Sequence, residues 1–108
     1  MIDIEQLNTR LGNNVAIVEK ILGIFTTQYD TGQPVFASAI ASGNTEEIYH
    51  LAHSLKGALA NMCADEDAAA AAEIESAARN GSLPEASSVE AMETRITAIN
   101  EQIKAHLA

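Results

Sequence analysis

Cysteine, basic side chains and long apolar runs are all scarce in this sequence, and each scarcity excludes a class of protein. The single cysteine, Cys63, cannot form a disulfide within the chain, which favours a reducing cytoplasm. Only 6 basic residues stand against 15 acidic ones, and the formal charge of -9 would be repelled by nucleic acid and by anionic membrane surfaces. No apolar stretch of about 18 residues and no signal peptide is present, so neither membrane insertion nor export is expected.

The composition that remains is that of one folded domain. The 108 residues are 47% hydrophobic, enough for one core and too few for two, so we expect a single domain over residues 1–108. Its apolar stripes can all be buried within one bundle, and the negative charge discourages self-association, so we expect a monomer. Whether the chain is a complete protein or a domain of a larger one is left open.

Almost every segment repeats its apolar residues with helical period, and almost none alternates like a strand. The pattern predicts an all-α fold, an antiparallel up-down-up-down four-helix bundle with a short additional N-terminal helix. The short helix opens at a capping box formed by Asp3 and Gln6. The four longer helices are expected from Asn13 or Asn14 to Gly43 with an interruption at Gly32 and Pro34, from Asn44 or Thr45 to near Cys63, through residues 66–80 to Gly81, and from Pro84 onward.

The stretch AHSLKG, residues 52–57, lies in the middle of the second of these four longer helices. On a helical wheel its apolar stripe is centred on Leu55, and His53 lies about 160° away, so His53 is expected to point to solvent. Lys56 flanks it and is the only basic residue between Lys20 and Arg79. The residues expected within about 40° of His53 on this wheel are Glu46, Gly57, Ala60 and Ala64, with Tyr49 flanking.

These features share one chemical explanation. A neutral imidazole has a nucleophilic lone pair near pH 7, and attack on a phosphoryl donor would leave an anionic group at this place. Lys56, one turn on, would neutralise part of that charge. Glycine costs about 1 kcal/mol against alanine inside a helix, and Gly57 is best explained by the close approach of another protein.

The sequence resembles the histidine phosphotransfer (HPt) domains of bacterial multistep phosphorelays. The resemblance centres on the family's H-x-L-K-G motif, here His53, Leu55, Lys56 and Gly57. It extends to the opening IDIEQLNTRLG, to Phe25 in the second helix, and to the turn SGNTEE before the motif helix.

The resemblance implies that His53 takes a phosphoryl group from one receiver-domain aspartate and passes it to another. Lys56 would be the charge neighbour and Gly57 the residue that gives the partner clearance. The partners implied are response-regulator receiver domains and the receiver domain of a hybrid sensor kinase, with no ATP site, metal or cofactor on this chain. We assign Tyr49, His50, Ala60 and Ala64 to the partner-binding surface.

Two positions depart from the family's pattern. Cys63 stands where the family often has glycine, and Asp67 where it often has a large apolar residue. The family's frequent polar neighbour of the histidine would fall at Glu75, but a carboxylate there would oppose a phosphate, so Glu75 is not assigned to the site.

Two other functions compete with phosphotransfer. Glu47 and His50 match the Glu-x-x-His pattern of di-iron bundles, but no second copy exists and His50 lies off the core stripe. A metal site of His50, His53 and Cys63 fails because Cys63 lies near the core side, where it is expected as a small buried hydrophobe. A helical adaptor that binds a receiver or kinase domain without carrying phosphate remains open.

Overall fold

The computed structural model describes residues 1–108 and contains six α-helices and no strand. The all-α class is therefore confirmed, whereas the up-down-up-down order of the longer helices stays a prediction. The helices are α1 (Ile4–Arg10), α2 (Val15–Tyr29), α3 (Ala37–Ala41), α4 (Thr45–Asn61), α5 (Asp65–Arg79) and α6 (Ala86–Leu107). None of them is both long and apolar enough to cross a membrane.

Short polar side chains begin three of these helices. Asp3, Asn14 and Asn44 each accept a hydrogen bond from the backbone N–H three residues later, at 3.0, 3.2 and 3.0 Å. Each bond satisfies one of the N–H groups that the first helical turn leaves without a partner. These bonds confirm the expected cap at Asp3. They also identify Asn14 as the cap of the Asn13–Asn14 pair and Asn44 as the cap of the Asn44–Thr45 pair.

The core lies between α2, α4, α5 and α6. The longest helix pairing is that of α4 with α5, and α6 packs against both α2 and α5. The molecule is elongated, with extents of 42 × 24 × 19 Å, as helices aligned side by side require. The largest fully buried side chains include Leu22 and Phe36, Leu55 and Leu59 of α4, and Ile99 of α6.

The structure corrects the expected second helix. It ends at Tyr29, and residues 30–36 are not helical before α3 begins. The Glu93 carboxylate of α6 accepts hydrogen bonds from the backbone N–H groups of Val35 and Phe36 at 2.9 and 3.0 Å, which fixes this segment against α6. Gly32 and Pro34 therefore separate two helices rather than kink one. The last helix begins at Ala86, two residues after the expected Pro84.

Candidate functional site

His53 lies on the outer face of α4, as the helical wheel predicts. Ile48, Ala52, Leu55 and Leu59 of the same helix are fully buried and anchor its inner face. The His53 side chain is 58% exposed, and its Nε2 atom makes no hydrogen bond within the protein. The imidazole therefore presents one free nitrogen to solvent.

The other ring nitrogen contacts a buried carboxylate. Nδ1 of His53 hydrogen-bonds Oε2 of Glu75, which α5 brings beneath the ring. Lys56 donates a hydrogen bond to Oε1 of the same carboxylate at 2.7 Å, and Arg79 lies 3.7 Å from that oxygen. Glu75 itself is only 3% exposed. One buried carboxylate thus gathers three basic side chains from two helices.

The charge state of Glu75 follows from these neighbours. The Lys56 ammonium, through its hydrogen bond to Oε1, holds the pKa of the Glu75 carboxyl below its ordinary value. The hydrogen bond from His53 acts in the same direction, and burial acts against both. Glu75 is therefore ionised at neutral pH.

Tyr49 stacks on the His53 ring. It lies one turn before His53 on α4, and the two rings stack with centroids 5.8 Å apart and an interplanar angle of 21°. On the other helix, the Arg79 guanidinium lies 5.5 Å from the centroid of the Tyr49 ring. The imidazole therefore contacts Tyr49 through a ring face and Glu75 through Nδ1.

Most of the residues assigned to the partner-binding surface lie on the exposed strip of α4. Gly57 is exposed, and a Cβ atom placed on it would meet no atom within 4 Å. Ala60 is also exposed, and its carbonyl accepts a hydrogen bond from Arg10 at 3.3 Å. His50 is exposed and lies 3.9 Å from Glu46.

The assignment of Ala64 to this surface is wrong. Ala64 is fully buried and lies beyond α4, which ends at Asn61. The chain reverses at Cys63, whose φ of 58° is in the left-handed region, so a wheel drawn through Ala64 no longer describes the backbone. Cys63 is buried, which confirms its reading as a small core residue.

Sequence reasoning set Glu75 aside because a carboxylate would repel a phosphate. The structure shows what that argument omitted: the oxygens of Glu75 face Nδ1 and Lys56, while Nε2 is directed elsewhere. Lys56, expected as the charge neighbour of the acceptor, is bound to Glu75 and one-third exposed. The family's pattern already pointed to residue 75, and this was the signal that could have identified it.

The site presents one nitrogen of the His53 ring at the protein surface. No group of three or more His, Cys, Asp or Glu side chains is placed to hold a metal ion. An exposed imidazole held at one nitrogen by a buried carboxylate, on a helical scaffold, is an arrangement that a histidine carrier can use to take up and release a small group at the other nitrogen.

Comparison with protein families identifies the kind of carrier. The model of the Hpt domain family matches residues 20–106, and the chain belongs to this family. Hpt domains are carriers of phosphoryl groups on histidine in phosphorelays, rather than enzymes in the usual sense, and they interact with receiver domains of response regulators. The matched range contains both His53 and Glu75. Searches among curated proteins and among solved structures found no match.

Proposed function

We propose that His53 accepts a phosphoryl group from the aspartate of one receiver domain and passes it to the aspartate of another. The observation that carries this proposal is the division of the imidazole into two nitrogens with different surroundings: Nδ1 faces Glu75 and Nε2 faces solvent. Nε2 is then the nucleophile, and an exposed position suits a phosphorus atom that arrives on another protein.

The surface beside His53 favours a protein as the donor. Gly57 and Ala60 project almost no side chain, so α4 is low on the C-terminal side of the imidazole. A receiver domain must bring its aspartate within bonding distance of Nε2, and this clearance permits it. A small nucleotide would not need the clearance, so we propose no ATP site on this chain.

Lys56 has two tasks in this proposal. In the free protein it is bound to Glu75 at 2.7 Å, which keeps the carboxylate ionised under the ring. Because its side chain remains one-third exposed, it can also turn toward a phosphoryl group on Nε2 and offset part of that charge.

For the scaffold we propose the antiparallel up-down-up-down order as a single domain over residues 1–108, and a monomer in solution. The extensive packing of α4 along α5 across a turn of only residues 62–64 supports antiparallel neighbours.

The test is His53→Gln with His50→Gln as its matched control. Both positions are exposed on α4, one turn apart, so each change should alter the free energy of unfolding by no more than about 0.5 kcal/mol. We expect His53→Gln to accept no phosphate from a phosphorylated receiver domain, and His50→Gln to accept it as the wild type does. Phosphate that is still accepted by His53→Gln, and lost in His50→Gln, would refute the assignment of the nucleophile.

The alternative is an adaptor that binds receiver or kinase domains and carries no phosphate. It predicts receiver binding with no acid-labile, base-stable phosphate on this chain. The ionised Glu75 beneath Nδ1 favours the carrier, because binding alone does not require a carboxylate buried under an exposed imidazole.

A further inference from the structure

Arg10, the last residue of α1, is a cation that the fold holds without a carboxylate. Its Nη1 donates a hydrogen bond to the carbonyl oxygen of Ala60 at 3.3 Å. Four of the six basic residues pair with an acidic side chain, whereas Arg10 and Lys20 do not. A guanidinium has five N–H donors, so most of those of Arg10 remain free at the protein surface.

The contact with Ala60 places this cation on the exposed strip of α4. Ala60 lies seven residues after His53, which is about 10 Å along the helix, and the exposed Gly57 lies between them. Lys56 and Arg79 stand near the His53 end of the strip. The strip therefore has basic side chains near both of its ends.

This part of the surface is locally basic in an acidic protein. Residues 48–64 contain no acidic side chain, although the whole chain carries 15 of them. The acidic residues of α4, Glu46 and Glu47, both lie in its first turn. An acidic surface on a partner would be attracted to the strip and repelled by the net charge of the rest of the molecule.

We propose that Arg10 is a docking residue, which pairs with an acidic side chain of the receiver domain about 10 Å from the receiver's phosphorylated aspartate. The pair would fix how the receiver sits along α4. This inference rests on the proposed function, in which the receiver docks over His53 and Gly57. The Arg10 guanidinium is held about two helical turns from His53, so it contacts the partner surface and not the phosphoryl group.

The hydrogen bond to Ala60 does not by itself account for Arg10. The last carbonyls of a helix need partners from outside the helix, and a cation near them is favoured by the helix dipole. The Ala60 carbonyl, however, already accepts a hydrogen bond from the backbone N–H of Cys63 at 3.1 Å. The end of α4 is thus satisfied without the arginine, whose remaining donors point to no group of this chain.

The experiment compares the wild type with Arg10→Gln, Arg10→Lys and Lys20→Gln. Arg10→Gln keeps an N–H donor and removes the charge, and Arg10→Lys keeps the charge. Lys20→Gln is the matched control, because Lys20 is exposed on α2, makes no ion pair and loses the same charge. The partner is the unphosphorylated form of a receiver domain that exchanges phosphate with His53. Its dissociation constant and association rate are measured at about 0.05 M and about 0.5 M salt, since salt screens exposed charges.

We expect Arg10→Gln to bind the receiver about three- to fivefold more weakly at the lower salt, mainly through slower association. Arg10→Lys and Lys20→Gln should stay within about twofold of the wild type. The difference between Arg10→Gln and the wild type should shrink at the higher salt. Equal binding by Arg10→Gln and Lys20→Gln at the lower salt would overturn the inference and leave the proposed function standing.

A small phosphoryl donor separates docking from the chemistry at His53. Phosphoramidate needs no docking surface, so all four proteins should take its phosphate on His53 at the same rate. A rate that falls in Arg10→Gln with phosphoramidate as well would assign Arg10 to the acceptor site and overturn the inference. If His53 takes no phosphate from phosphoramidate or from any receiver domain, the proposed function fails and the inference fails with it.

A measurement on the wild type decides the inference even if Arg10→Gln does not fold. In ¹⁵N-labelled protein the Nε–H signal of Arg10 should shift when the receiver is added, and that of Arg95, which is bound to Asp67, should not. An Arg10 signal that does not move would overturn the inference. A signal that moves when the protein is concentrated without a receiver would show that a second copy occupies the strip, which would overturn it as well.

Discussion

Helix α5 carries two buried carboxylates, Asp67 and Glu75, which lie about two helical turns apart and face different neighbours. Asp67, 2% exposed, accepts a hydrogen bond from Arg95 of α6 at 2.9 Å and contacts the Met1 amino group at 2.5 Å. Glu75, 3% exposed, faces α4 and its imidazole. The two have nearly equal burial and each contacts cationic side chains.

The difference lies in the chemistry of what each carboxylate holds. A guanidinium has five donors, no lone pair and a fixed charge, so Asp67 and Arg95 can only join α5 to α6. An imidazole held at one nitrogen still has a lone pair on the other. Burial and charge pairing of a carboxylate therefore do not by themselves indicate a functional site. What indicates one is the reactivity of the group that the carboxylate orients.

The largest effect should come from breaking the structural pair. Arg95→Met leaves Asp67 buried with one cation fewer, which should lower the free energy of unfolding by about 2 kcal/mol in urea titrations. Phosphate acceptance by the folded protein should not change. Lys56→Met, the matched change on the Glu75 side, should cost less because His53 and Arg79 still contact that carboxylate.

The double variant Asp67→Leu/Arg95→Met tests why Arg95→Met should lose stability. It replaces a buried charge pair with apolar side chains, so it should recover most of the stability lost in Arg95→Met. A double variant no more stable than Arg95→Met would mean that the loss comes from packing of the arginine and not from an uncompensated carboxylate.

The second prediction concerns acid. The pKa of Glu75 is lowered in the folded protein, so its contribution to stability is fully present above its ordinary pKa of about 4.3 and is lost as the pH falls through the lower folded value. Between pH 6 and pH 3, the free energy of unfolding should fall more for the wild type than for Glu75→Gln. Glu73→Gln should follow the wild type, because Glu73 is exposed and makes no ion pair. Parallel curves for wild type and Glu75→Gln would contradict the assignment of an ionised, paired Glu75.

The third prediction tests whether a partner docks on the exposed strip of α4 that carries His53 and Gly57. Gly57→Leu should stabilise the protein by up to about 1 kcal/mol, since the site is open and glycine is a poor helix former. It should also weaken binding of a receiver domain about tenfold or more, a loss of at least ~1.4 kcal/mol. Gly23→Leu in α2 is the control, because it too has open space but lies on a helix that packs on α6. Equal binding by both variants would place the docking surface elsewhere.

The sequence was sufficient to predict which side chains of a single helix are exposed and which are buried. The exposure of His53 and Gly57 and the burial of Leu55 follow from a single helical period, and the structure confirms them. The same reasoning failed at Ala64, because a helical wheel is valid only while the helix continues.

Contacts between side chains on two different helices could not be predicted from the sequence, because they depend on how the two helices are aligned. The pairing of Glu75 with His53 depends on where α5 begins and how it turns against α4. This alanine-rich helix has a single bulky apolar side chain, Ile74, to indicate which side faces the core. The Asp67 and Arg95 pair joins helices whose relative position is equally undetermined by periodicity. Asp67 departed from an apolar position of the family's pattern and Glu75 was set aside because of its charge, and partners on other helices account for both.

The last and smallest predicted effect concerns the turn that sets this register. Four helix ends share one hydrogen-bond pattern, in which the residue after the cap has positive φ, and these residues are Gly12, Gly43, Cys63 and Gly81. At Cys63 the left-handed backbone costs a residue with a Cβ about 1 kcal/mol relative to glycine. Cys63→Gly should therefore be more stable than Cys63→Ala by about 1 kcal/mol, the reverse of their order inside a helix. Both variants lose the buried thiol, so their difference in urea unfolding isolates the backbone. If Cys63→Ala were the more stable, the left-handed turn before α5 would be wrong, and with it the register that places Asp67 toward α6 and Glu75 under His53.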